Sequence, residues 1–271
     1  WVGTDDRLYR FNRDLTLDAT FSTGMGSNNV TALAGTSPGG VMFIGHPDAG
    51  VSAYDPSQLL AATQDQYHRY RTDSSSLPSN AVRDLHLVDS SLNRVWIATG
   101  NGAAFFDGAN DSWTVLQTVD ATNLPSIDIN AVSVSPSAGT IWIGTNGAGV
   151  AQSPSGTAGT FTTNTTANGL GSDTVNEIFI ASDGTVWLAT AGGLTRWSLT
   201  FNNLNTGNSG LINATVRAIA EDTAGILWIA TANGISRYDP SAPSGTGWTK
   251  YQTAEGLASG DTTAIAVVPA Q

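Results

Sequence analysis

Few residues in this 271-residue chain have the type and spacing that chemistry requires. It has no cysteine, which removes thiolate nucleophiles, disulfides and Cys-ligated zinc. The three histidines, His46, His68 and His86, share no H-E-x-x-H or comparable metal-ligand spacing. His46, in HPDAG, reads as a surface turn residue, with a ligand role as its functional alternative. No G-x-S-x-G elbow, P-loop or dinucleotide fingerprint occurs. Carboxylates are left, because glycoside hydrolysis needs only two of them suitably placed. Asp84 and Glu177 stand out, since each sits in a short apolar stretch whose matching slots elsewhere hold Ala32, Ala131, Ala218 and Ala264. Arg83 and Arg217 fall one position earlier in the same kind of stretch. Isolated burial of a charge is costly, so such groups must pair or line a water-filled space. That structural role is the main expectation for both acids, and a glycosidase or lyase pair is the alternative. No catalytic residue, metal site or cofactor is assigned.

Composition narrows the partners. The formal net charge is −11, from 22 acids and 11 bases, and Lys250 is the only lysine. A nucleic-acid binder needs a basic face, and too few cations exist to build one. No apolar run approaches the ~20 residues of a membrane span, so direct membrane insertion is not expected. Eight tryptophans and 40% hydrophobic residues argue against disorder. Thirty glycines, with abundant Ser, Thr and Asn, suggest short strands between tight turns.

The positioning elements emerge from a repeat. A landmark reads VWIAT at 95–99, IWIGT at 141–145, VWLAT at 186–190 and LWIAT at 227–231. WVGT opens the chain, and MFIGH at 42–46 is a degenerate copy with His46 in the threonine slot. The landmark aromatics Trp1, Phe43, Trp96, Trp142, Trp187 and Trp228 are spaced 42, 53, 46, 45 and 41 residues apart. Ahead of each landmark lies a stretch such as Val82–Leu85 or Val175–Ile178, and after it come a small turn and two more short strands. Residues 57–66 (SQLLAATQDQ) suggest a helical turn.

Four strands per unit at a period near 45 residues is the pattern of a β-propeller. The fold class expected is all-β, a six-bladed β-propeller with four-stranded blades, forming one domain over residues 1–271. The first blade combines 262–271 with 1–23, so the N-terminal strands pair with the C-terminal strand. The others span about 28–72, 80–118, 128–164, 173–205 and 213–253. The landmark aromatics are expected to pack between blades.

An Asn or Asp precedes each inner strand: Asn28, Asn80, Asp128, Asp173, Asn213 and Asp261. Turn capping explains most of these, and a polar ring at one mouth of a channel is the functional reading. The second-to-third-strand turns add Asp5, Asp6, Arg7, His46, Asp48, Asn101, Asn146 and Asn233 as rim candidates. With the channel candidates Asp84 and Glu177, and with Asn80 and Asp173, these form the proposed ligand-binding set.

The segments GILWIATANGISRYDP (225–240), DGTVWLATAGGLTRW (183–197), RVWIATGNGAAFFDG (94–108) and LPSNAVRDL (77–85) resemble the two-component regulator propeller repeat. That resemblance implies a bacterial extracytoplasmic propeller, in periplasm, cell surface or secreted, akin to sensor domains that respond to carbohydrate fragments. The function expected is a non-catalytic ligand-binding or protein-interaction module, taking carbohydrate or protein at its mouth. The alternatives are a structural subunit of a larger envelope assembly and, second, a polysaccharide lyase or glycosidase. Sequons at Asn29, Asn110, Asn164 and Asn213 would suit a surface assembly.

Overall fold

The computed structural model describes residues 1–12, 14–35, 40–56, 67–117, 123–155, 160–243 and 245–267. The fold is a six-bladed β-propeller of successive antiparallel sheets, five with four strands and one with three. The helical turn expected at 57–66 lies outside the described residues. Among the described residues no helix is long and apolar enough to cross a membrane.

The chain divides into two compact units. The first unit, Trp1–Thr122 with Ile127–Val132, carries three sheets. Its first sheet has β1 (Val2–Gly3), β2 (Leu8–Phe11) and β3 (Leu17–Phe21). The second has β4 (Ala32–Gly35), β5 (Met42–Gly45), β6 (Val51–Tyr54) and β7 (Tyr67–Tyr70). The third has β8 (Val82–Asp89), β9 (Arg94–Thr99), β10 (Gly102–Asp107) and β11 (Ser112–Leu116). The fourth sheet begins with β12 (Ile129–Val134), where the division between units falls, and continues with β13 (Ile141–Thr145), β14 (Val150–Ser153) and β15 (Thr162–Asn164).

The second unit, Asn123–Ser126 with Ser133–Gln271, also holds the fifth and sixth sheets. These are β16 (Val175–Ile180), β17 (Val186–Thr190), β18 (Gly193–Trp197) and β19 (Phe201–Leu204), then β20 (Val216–Glu221), β21 (Leu227–Thr231), β22 (Gly234–Tyr238) and β23 (Trp248–Tyr251). Residues 261–267 form no strand, so the fourth strand expected to complete the first sheet is not observed among the described residues.

The landmark strands explain their own composition. Every residue of β5, β13 and β17 is buried, so both faces must be apolar or small. Phe43, Trp142 and Trp187 are 1%, 1% and 2% exposed. Trp142 meets Trp197 edge-on at 5.0 Å, and Trp187 meets Tyr238 at 6.1 Å. These aromatics are packing groups between sheets, each removing a large apolar area from water. The glycine of the landmark permits the approach: a Cβ on Gly45 would lie 2.7 Å from Val82 Cγ1 of the next sheet.

Candidate functional site: the turn-and-linker rim

Every landmark except the degenerate MFIGH ends in a threonine that clamps the following turn. Thr99, Thr145, Thr190 and Thr231 are fully buried, and their hydroxyls donate to the carbonyls of Gly102, Gly149, Gly193 and Gly234 at 2.7–2.8 Å. The same oxygens accept a backbone N–H from the turn, as from Asn101 and Asn233 at 3.2 Å. Thr4 does the same in the first sheet, accepting from Arg7 N at 3.1 Å, while Arg7 pairs with Asp6 at 3.0 Å. Asp5, Asp6, Asp48, Asn146 and Asn233 are exposed on these turns.

The turns meet the linkers that enter the next sheet, so the rim candidates do come together in adjacent groups. In the first unit, Gly50 N donates to Asn80 O at 2.9 Å, joining the turn of His46 and Asp48 to the Asn80 linker. Gly102 N donates to Ile127 O, which brings Asn101 beside Asp128. In the second unit, Gly147 and Gly149 both donate to Asp173 O, and Asn146 bridges Thr174. Ala232 N donates to Thr215 O, and Thr262 N to Thr231 O, which places the Asn233 turn beside the Asn213 and Asp261 linkers.

Several of the Asn and Asp side chains are committed to these linkers. Asn80 Oδ1 accepts from Thr72 N at 3.0 Å, Asp173 Oδ1 from Thr166 N at 2.7 Å and Asn213 Oδ1 from Thr215 N at 2.8 Å. Asp128 and Asp261 instead pair with Arg83 and Arg217, at 2.6 and 2.7 Å. Each arginine belongs to the inner strand of the sheet before. Both pairs are partly exposed, so each contributes only about 0–1 kcal/mol.

The inner strands are sheet edges, and their free backbone groups need partners. Neighbouring inner strands supply them through side chains. Thr31 Oγ1 donates to Val82 O at 2.7 Å, Arg83 to Ile129 O at 3.3 Å, and Asn176 Nδ2 to Val216 O at 2.7 Å. One position later the acids act as acceptors: Asp84 from Val132 N at 2.9 Å, and Glu177 from Ile219 N at 2.6 Å. Each acid directly follows a register shift against the second strand, between Val82 and Asp84 and between Val175 and Glu177. Such a bulge re-aims the side chain along the edge. Burial raises the Asp84 carboxyl above the usual carboxylate range, and its bonds from Val132 and Leu85 N–H oppose that only in part.

His46 is a correction to the surface-turn expectation: it is fully buried. Its ring spans from the linker before β4 to β6, with Nδ1 2.8 Å from Asn29 O and Nε2 2.9 Å from Ser52 Oγ. Replacing the threonine clamp with a longer side chain carries the ring past its own turn. His68 is exposed and packs on Tyr70, and burial lowers the pKa of His86. Among the described residues no group of three His, Cys, Asp or Glu could hold a metal ion. Of the sequons, Asn164 has its Nδ2 buried, which closes it to modification in the folded state.

Sequence reasoning missed the buried hydroxyls of the third strands. Ser52, Thr195 and Ser236 accept from Gly26, Gly171 and Ile212 N–H at 2.9–3.0 Å, pinning the linkers. The available signal was a Ser or Thr two residues after the turn glycine, where Ala104 and Ala151 stand in other units.

Residues 210–233, spanning the Asn213 linker, β20, β21 and the Asn233 turn, match the model described as two component regulator propeller. Over that stretch the chain carries one two component regulator propeller repeat. Solved structures share the propeller fold. The extracellular domain of a hybrid two component system from B. thetaiotaomicron is 20% identical with TM-score 0.61, over 87% of this chain and 36% of that one. The extracellular domain of a one component system from the same organism is 17% identical with TM-score 0.72, over 97% of this chain and 33% of that one. Virginiamycin B lyase from Staphylococcus aureus is 16% identical with TM-score 0.59, over 82% of this chain and 69% of that one. The repeat-bearing chain thus spans about a third of the length of the matched extracellular domains. No curated protein matches it.

Proposed function

We propose that this propeller is a non-catalytic, extracytoplasmic, sensor-like module that reads a polar ligand, a carbohydrate or a protein segment, along its turn-and-linker rim. One observation carries the reading. The two acids that could have formed an acid–base pair, Asp84 and Glu177, each accept a neighbouring strand's backbone N–H. The turns, by contrast, present exposed Asp5 and Asp48 in the first unit and exposed Asn146 and Asn233 in the second, the latter two on turns held by the buried Thr145 and Thr231 clamps. Donors and acceptors fixed before binding lose little entropy when a hydroxyl-rich or peptide ligand docks. The regulator-propeller match over residues 210–233 and the shared fold of extracellular domains from a hybrid two component and a one component system support the extracytoplasmic, sensor-like part. The lyase shares the fold alone, and no acid–base chemistry is carried over from it.

The test is an alanine scan of Asp5, Asp48, Asn101, Asn146 and Asn233 against a panel of oligosaccharides and envelope proteins. Titration calorimetry and thermal unfolding would be run in parallel. For a ligand found in the panel, at least two substitutions should weaken binding by about tenfold, or ~1.4 kcal/mol. The midpoint of unfolding should not move. Unchanged affinity across the whole scan excludes the rim.

A further inference from the structure

We infer that His46 makes the linker Gly26–Asn29 of the first unit sensitive to acid, a device the other described units lack. The geometry sets the tautomer. Asn29 O can only accept, so His46 Nδ1 carries the proton, and Nε2 is left to accept from the Ser52 hydroxyl. Ser52 Oγ in turn accepts from Gly26 N–H at 2.9 Å. The relay runs from one end of the linker to the other, and every member is satisfied only while the imidazole is neutral.

A second proton on Nε2 faces the Ser52 hydroxyl donor to donor. The hydroxyl must rotate away from its only acceptor in the relay, and a cation forms in a site with no exposed surface. Burial lowers the pKa of the ring, and the bond to the Asn29 carbonyl and the attraction of Asp48 on the same turn oppose that only in part. The linker 26–29 has no charged residue. On β6 the only ionisable group is Tyr54, and on β8, which packs on β5 and whose Val82 N donates to His46 O, the nearest are Arg83 and Asp84. Opening of the linker exposes His46, which then takes up the proton. The sign follows: a histidine whose folded pKa is lowered confers full stability above ~6.5 and loses it as pH falls below that value.

The fifth sheet supplies an internal control. There Gly171 N donates to Thr195 Oγ1 at 3.0 Å, as Gly26 does to Ser52, but Thr190 fills the slot of His46. Amide hydrogen exchange would be measured from pH 7 to 4.5, corrected for intrinsic rates, with the His46 ring followed by NMR. The opening constant at Gly26 should rise by up to about tenfold per pH unit below ~6.5, while that at Gly171 stays level. His46→Thr should abolish the rise, and His46→Gln, which is also neutral, serves if the threonine variant does not fold. Parallel behaviour of Gly26 and Gly171 in the unaltered chain, or a rise that persists in the neutral variant, overturns the inference. These readouts need no ligand, so the rim reading stands or falls separately.

Discussion

Replacing Gly193 with alanine is expected to destabilise the fold by on the order of 3 kcal/mol or more. Gly193 opens β18 with φ near +136°, a backbone region that side-chain-bearing residues rarely adopt. A Cβ there would lie 2.5 Å from Leu204 O and 2.6 Å from Asn203 Oδ1. Leu204 belongs to β19, so relief would require the third and fourth strands to part at the start of their ladder. The carbonyl of Gly193 itself accepts the Thr190 clamp, so the turn would shift as well. Gly184→Ala is the matched control, because φ is +83° there and a Cβ would meet nothing within 4 Å. That variant should lose only about 1 kcal/mol, the conformational cost alone. Chemical denaturation of the two variants checks the contrast. Equal losses would mean that the approach to Leu204 does not decide the turn.

Asp84→Ala is the second large effect. It leaves Val132 N–H on an inner edge without its carboxylate acceptor, a loss of about 1–3 kcal/mol. The loss should depend on pH in a definite direction. Burial raises the folded-state pKa of Asp84 above its unfolded value, so the folded chain holds this proton more tightly. Its contribution is therefore greatest in acid and declines as pH rises from the usual carboxylate range through the raised value. The destabilisation by Asp84→Ala should accordingly shrink between pH 4 and pH 7. Asp84→Asn keeps one acceptor oxygen and should fall between the two. Unfolding curves of the three proteins at several pH values provide the measurement. A penalty that grows with pH would contradict the assignment of burial as the dominant influence.

Gly193 and Asp84 fall on opposite sides of what local pattern decides. The spacing of Phe43, Trp96, Trp142, Trp187 and Trp228 predicts a sheet for every landmark, because each blade needs one strand buried on both faces. Turn glycines and Asn or Asp caps were equally readable, since they satisfy backbone groups within a few residues. Asp173 and Asn213 are examples, accepting amides seven and two residues away.

The use of the acids was not local. Asp84 and Glu177 were visible as anomalies among alanines, yet their partners Val132 and Ile219 lie 48 and 42 residues away. No pattern within one unit says which amide on the next edge is left open; the register and the bulge decide that. His46 shows the same division. HPDAG describes a turn, and turns are usually wet, so sequence placed the ring at the surface. Folding brings the Asn29 carbonyl and the Ser52 hydroxyl to its two nitrogens, and a ring with both partners supplied can be buried. The residues announced which groups were unusual, through composition against the repeat. Only the packing of successive sheets decided what those groups do, because their partners belong to other strands.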